Sequence, residues 1–119
     1  MSIQRIEVGK RMSQIVLHGD TVYTAGQVAQ ETAGQSVSEQ TAEILAKIDA
    51  LLSEAGTDKT RLLTAQVWLA DISTFDEMNA VWDEWVPEGN APARVCVEAK
   101  LAAAKYTVEI MVTAALDRV

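Results

Sequence analysis

The sequence predicts an α+β domain of six strands and two helices. Three observations carry that prediction. Six short runs alternate apolar and polar residues or are rich in β-branched ones. Two longer stretches repeat apolar residues every three to four positions, as one face of a helix does. Their order along the chain is β-β-β-α-β-α-β-β, and two helices can cover only one face of such a sheet.

Ile3 to Val8 alternates and reads as the first strand. Gln14 to Leu17 is the second, closed by the turn-like trio His18-Gly19-Asp20. Thr21 to Ala25 is the third and the natural hairpin partner of the second. Ala29 to Gln35 is polar and reads as a loop. Ser36 or Ser38 caps the first helix, with Glu39 in its first turn. Ile44, Leu45, Ile48, Leu51, Leu52 and Ala55 form its apolar stripe, and Gly56 ends it. Arg61 to Ala70 is the fourth strand. Ser73 is placed to cap the second helix, with Asp76 three residues on. The stripe expected to be buried there runs through Phe75, Met78, Val81, Trp82, Trp85 and Val86, and all three tryptophans of the chain read as core. Pro87, Gly89, Asn90 and Pro92 break the chain before the strand Ala93 to Glu98. Lys100 to Lys105 connects to a last strand, Tyr106 to Leu116. That strand is apolar on both parities, so both sheet faces are expected to be covered. Helices take one face, and a second copy of the protein is the expected cover for the other.

Composition excludes several classes of function. A chain of 119 residues is expected to form one domain. A net charge of −7, with ten scattered Lys and Arg, repels phosphate backbones and anionic lipid, so no nucleic acid or membrane partner is expected. One cysteine allows neither an internal disulfide nor a thiolate metal cluster. The opening MSIQRIEVGKRM has no long apolar run after its charges, and no segment approaches the ~20 apolar residues of a membrane span. A cytoplasmic location is the default expectation.

Arg94 is the leading candidate for chemistry. It lies within an otherwise apolar strand, and alternation puts Arg94, Cys96 and Glu98 on one face and Val95 and Val97 on the other. A guanidinium there needs a partner. Spacing alone leaves two roles open. The commoner is an ion pair with a carboxylate such as Glu98 or Glu109. The other is a two-pronged grip on a ligand carboxylate. Glu109 is the only ionisable residue within the apolar run of the last strand. It is either a rim carboxylate facing water or a lysine, or a general base whose pKa apolar surroundings raise. Cys96 has no histidine nearby in sequence, and the only one, His18, reads as a surface turn residue. The thiol therefore reads as a small core group. Gly26-Gln27 starts a loop or lets backbone approach a ligand, and it belongs to no phosphate-cradling glycine motif. Asp83, Glu84 and Glu88 read as a solvated helix face.

Four segments together form a pattern: Thr24-Ala25-Gly26-Gln27-Val28, Met78-Asn79-Ala80-Val81-Trp82, Ala91-Pro92-Ala93-Arg94-Val95-Cys96-Val97-Glu98, and Val108-Glu109-Ile110. On these the chain resembles the Rid family, also called YjgF or L-PSP, over nearly its full length. It is most similar to the YoaB-type branch. The resemblance implies a single Rid-like domain over 1–119, with a chorismate-mutase-like fold. It further implies a homotrimer with sites in the clefts between subunits. The implied activity is that of a cofactor-independent deaminase, with neither metal nor organic cofactor. It would hydrolyse reactive 2-imino (enamine) acids to 2-oxo acids and ammonia.

On this resemblance Arg94 and Glu109 are the catalytic pair. Arg94 binds the substrate carboxylate and Glu109 positions or activates water. Cys96, Gly26 and Met12 line the substrate cleft, and Asn79 supports it. The alternative is a non-catalytic, regulatory member that binds a small carboxylate. Three positions depart from the family pattern. Met12 stands near the place of a tyrosine that closes over substrate, Ala25 replaces a serine, and Leu101-Ala102 replaces Leu-Pro. Imines already hydrolyse in water, so one Arg, one Glu and backbone groups suffice physically.

Overall fold

In the computed structural model, which describes residues 2–116, the predicted element order is observed. The strands are β1 (Ile3–Val8), β2 (Ser13–His18), β3 (Thr21–Thr24), β4 (Leu62–Leu69), β5 (Ala93–Glu98) and β6 (Val108–Ala115). The helices are α1 (Val37–Ala55) and α2 (Phe75–Trp85). One six-stranded sheet has the order β1-β2-β3-β6-β4-β5. Only β4 and β5 pair in parallel, because α2 carries the chain back between them. The other pairs are antiparallel, and β2 and β3 form the expected hairpin across Gly19, which takes φ +61°.

Helix α1 follows its sequence signals closely. Ser36 is the cap, its Oγ accepting the Glu39 N–H at 3.1 Å. Gly56 ends the helix at φ 92°, its N–H bonding back to Leu52 and Ser53. Ser38 instead donates to Glu77 from its N–H and Oγ, which ties the start of α1 to α2. The stripe Ile44, Leu45, Ile48 and Leu52 is buried against Ile15, Val22, Val67, Ile110 and Val112. Gln40, also fully buried, donates to Gln35 and Lys105 carbonyls and accepts the Thr107 N–H at 2.9 Å. It thereby pins the β5–β6 connection over the start of α1.

Helix α2 differs from expectation at both its start and its stripe. Ser73 does not cap it. A 3-10 turn, Ile72–Thr74, comes first, and its cap is Asp71, whose carboxylate takes both the Ser73 N–H (2.9 Å) and hydroxyl (2.7 Å). A charged acceptor two residues upstream thus captures the serine meant as the cap. Of the expected stripe only Met78 and Trp82 are buried; Phe75 is 37% exposed. Trp82 is accordingly the one core tryptophan. Trp85 lies at the margin, its Nε1 donating to Asp49, and Trp68 is half-buried on the far side of the sheet. Strand ends also shift. β3 stops at Thr24, Arg61 sits in a 3-10 turn ahead of β4, and Tyr106 and Thr107 precede β6.

Both helices lie on one face of the sheet. The other face bears Ile3, Tyr23, Val95 and Val97, each at least 40% exposed, together with Trp68, Met111 and Glu109. Among the described residues no helix is long and apolar enough to cross a membrane.

Candidate functional site

Arg94 lies on the helix side of β5, and its guanidinium rests over α2. Its Cζ is 5.0 Å from the centre of the Trp82 ring and 5.8 Å from that of Phe75. Those two residues are two helical turns apart, so the guanidinium lies between them, above Met78. Its one hydrogen-bond contact is weak, Nη1 to the Met78 sulfur at 3.9 Å. Among the described residues no carboxylate pairs with it. Of the two partners considered from sequence, Glu98 accepts the Ile72 N–H at 3.0 Å. The other, Glu109, is on the opposite face of the sheet. The ion-pair role is thereby overturned. Among the described residues, no oxygen acceptor takes the donors of this half-buried cation.

Glu109 is opposite Trp68 on β4, and Trp68 is opposite Val97 on β5. Arg94 is three residues from Val97, an odd offset, so Arg94 and Glu109 project from opposite faces. Two strand spacings separate them laterally (~10 Å), and three residues along the strand (~10 Å). Within one chain they do not share a site. Glu109 instead lies against Gly26: a Cβ there would overlap its Oε2 and come within 3.1 Å of its Cδ. The glycine is what admits the carboxylate. Burial raises the Glu109 pKa above the ordinary carboxylate value, with no charged partner to offset it.

Cys96 is half-buried beyond Arg94 on the same face. Burial pushes its thiol pKa up, against a weaker downward pull from the Arg94 charge, which keeps it the protonated, inert group expected. Met12 is 55% exposed in the β1–β2 turn, at the sheet edge opposite β5. Asn79 on α2 has a buried Oδ1 without a hydrogen-bond partner. His18 is exposed, as are Asp83, Glu84 and Glu88. Among the described residues no three His, Cys, Asp or Glu side chains gather as a metal site.

Gly26 and Glu109 therefore meet on one face and Arg94 and Cys96 on the other, while Met12 lies next to Ser13, at the end of the β2–β3 ladder that leads to Gly26. Sequence reasoning missed the flanking of Arg94 by Phe75 and Trp82. Their i, i+7 spacing was visible but matched a core stripe equally well.

The sequence profile of the Endoribonuclease L-PSP family matches residues 2–116. The chain belongs to this family, the Rid or YjgF family. A RutC family protein of Haemophilus influenzae is 45% identical over 114 residues, covering 96% of this chain and 98% of the relative. The RutC family protein YoaB of Escherichia coli K12 is 43% identical over 116 residues, covering 98% and 100%, in keeping with the branch the sequence resembles. A crystal structure of a YjgF family member from Neisseria meningitidis superposes with a TM-score of 0.96 at 40% identity, covering 100% of this chain and 98% of that one. The Rid architecture of a mixed six-stranded sheet with two helices on one face is thus shared along the whole described chain.

Proposed function

We propose that this Rid protein hydrolyses 2-imino acids to 2-oxo acids and ammonia in sites that two copies build together within a homotrimer. One observation carries the proposal. Arg94 is a half-buried guanidinium, flanked by two rings and paired with no carboxylate among the described residues, so its donors suit a ligand carboxylate. The separation of Arg94 from Glu109 supports the two-copy site. Placing both on one small substrate requires Arg94 from one subunit and Glu109 with Gly26 from its neighbour. The apolar sheet face supplies a surface for that neighbour to cover.

In this site Arg94 holds the substrate carboxylate through two parallel N–H···O bonds, fixing the adjacent imine carbon. Glu109, as carboxylate, takes a proton from water while the water oxygen bonds to that carbon. The C=N pair moves to nitrogen, which takes the proton that Glu109 received, restoring the carboxylate. In the resulting amino alcohol Glu109 passes the hydroxyl proton to nitrogen as C=O forms and the C–N bond breaks, releasing ammonia. Water and imine are consumed, and 2-oxo acid and ammonia released. Positioning supplies most of the acceleration, and one acid–base group adds about 10²–10⁴-fold. Cys96 and Met12 line the cleft, and Met12 offers no hydrogen-bond donor to it.

The family's endoribonuclease name suggests RNA as a substrate, but a chain of net charge −7 with one guanidinium at the site is poorly suited to a phosphate backbone. The test uses an amino-acid oxidase to generate the imine and follows its loss. Wild type accelerates the loss and Arg94→Ala does not; equal rates for the two would end the proposal. Saturable, Arg94-dependent binding of a 2-oxo acid without turnover would make this a carboxylate receptor, a role that the missing donor at Met12 favours.

A further inference from the structure

We infer that the cleft between α1 and the β1–β2 edge binds a dipeptide, with its ammonium on Glu7, its carboxylate on Lys47 and its peptide group on Gln14 and Gln27. The inference does not rest on imine hydrolysis, because neither Arg94 nor Glu109 lines this cleft. Its volume is about 330 Å³, at the small end of ligand sites. One wall is α1, where Ala50 and Leu51 lie between Lys47 and Glu54. Lys47 and Glu54 are two helical turns apart, ~10 Å along the axis. The opposite wall keeps the same order. Glu7 falls across from Gln14, between the pairs Ile6–Ile15 and Val8–Ser13. Gln14 Oε1 accepts from Gln27 Nε2 at 2.8 Å. Lys47 donates to the carbonyl of Val28, the next residue, at 2.8 Å and to Gln30 Oε1. An acid thus stands at one end, an ammonium at the other and two side-chain amides between them.

Each group has capacity left for a ligand. Both hydrogens of Gln27 Nε2 are taken, by Gln14 and by the Ala25 carbonyl at 3.1 Å, so Gln27 offers Oε1 and Gln14 offers Nε2. Gln27 is only 6% exposed, yet neither of these two atoms is sealed in the core. A peptide N–H donates to the first and a peptide carbonyl accepts from the second. Lys47 is half-buried and uses two of its three donors, neither on a carboxylate. Glu43, one turn away, is occupied by Thr32 and the Glu31 N–H. At the other end Glu7 takes φ 53°, a region non-glycine residues rarely adopt. Its neighbour Ile6 packs on the core, so plain alternation sends Glu7 away from α1. The left-handed turn brings it back, where its carboxyl shares a hydrogen bond with Glu54 that raises the Glu54 pKa. An ammonium in place of that shared proton satisfies both carboxylates. A zwitterion therefore leaves neither pole of the cleft bare. An extended dipeptide reaches ~7 Å, whereas the charges of a single α-amino acid lie too close together to meet both ends.

Calorimetry on the whole protein tests this with glycylglycine, 5-aminopentanoate, which has the same length and charges without the amide, and alanine. Wild type is expected to bind glycylglycine saturably, about tenfold more tightly than 5-aminopentanoate, and alanine more weakly than either. Glu7→Gln keeps a hydrogen-bonding partner for Glu54 and should weaken glycylglycine about fivefold, as should Lys47→Met. Gln14→Leu should bring glycylglycine and 5-aminopentanoate within about threefold of each other. Arg94→Ala should bind glycylglycine as wild type does, which sets this site apart from the carboxylate grip. No saturable binding of glycylglycine, equal affinity for it and 5-aminopentanoate or alanine, or binding that survives both Glu7→Gln and Lys47→Met unchanged overturns the inference.

Discussion

Replacing Arg94 by methionine separates a ligand-binding role from a structural one, because the two predict opposite balances of activity and stability. Were Arg94 half of a buried ion pair, its removal would strand a carboxylate and cost about 3–5 kcal/mol of stability. No carboxylate is left stranded here. The side chain loses two ring contacts, about 0.5–1 kcal/mol each, and a 3.9 Å contact to the Met78 sulfur. Methionine regains part of this by packing its own thioether against Phe75 and Trp82. The net change in unfolding free energy should stay within about 1–2 kcal/mol. The loss to a bound substrate is larger. Two charge-assisted hydrogen bonds at about 1.5–3 kcal/mol each amount to at least a hundredfold in kcat/KM, by the tenfold per 1.36 kcal/mol of transition-state arithmetic. Urea unfolding and the oxidase-coupled imine assay on one preparation provide both numbers. A destabilisation beyond about 3 kcal/mol, or kcat/KM unchanged, would refute the reasoning.

Glu109→Gln should lower kcat about a hundredfold with little change in KM, as loss of one acid–base group does. Because burial raises the folded-state pKa of Glu109, native protein binds more protons than unfolded protein between the two pKa values. That contribution to stability is complete below the unfolded pKa and is lost as pH rises through the folded one. Glu109→Gln should therefore be more stable than wild type at pH 7 and lose that advantage below about pH 4, as thermal unfolding across pH will register. In wild type, kcat should fall as acid protonates this base. Gly26→Ala puts a methyl where the Glu109 carboxylate lies and must push it aside, so kcat should drop by about a hundredfold while the circular dichroism spectrum is preserved. Gln40→Leu strands the Gln35 carbonyl and the Thr107 N–H, while the Lys105 carbonyl keeps the Gly34 N–H. Denaturant titration should show a loss of about 2 kcal/mol or more, from about 1–3 kcal/mol per stranded group.

The sequence made most of the scaffold legible because its signals were local. Ser36 and Gly56 bracket α1 through their own hydrogen bonds, and β1 and β5 begin and end where alternation begins and ends. The start of α2 was misread because two capping acceptors compete there and the carboxylate of Asp71 outbids a hydroxyl. The site was legible as a set of residues and hidden as an arrangement. Parity within a strand tells which neighbours of Arg94 share its face, but parity between strands depends on register. The pairing of Ala65 with both Arg94 and Val112 is what sends Glu109 to the other side. Nothing local encodes that pairing. Phe75 was hidden for a related reason, since a helical stripe does not reveal which of its members the sheet leaves uncovered.

The central claim is that Arg94 and Glu109 act on one substrate from different subunits, and mixing two inactive variants tests it most directly. Arg94→Ala retains Glu109, and Glu109→Gln retains Arg94. In the proposed trimer, equal co-expression gives mixed rings in which about a quarter of the interfaces unite the two intact residues, by random assembly. The account predicts imine hydrolysis returning to about a quarter of the wild-type rate, from parents that each have less than a hundredth of it. A mixture no more active than its parents would contradict a site shared between subunits.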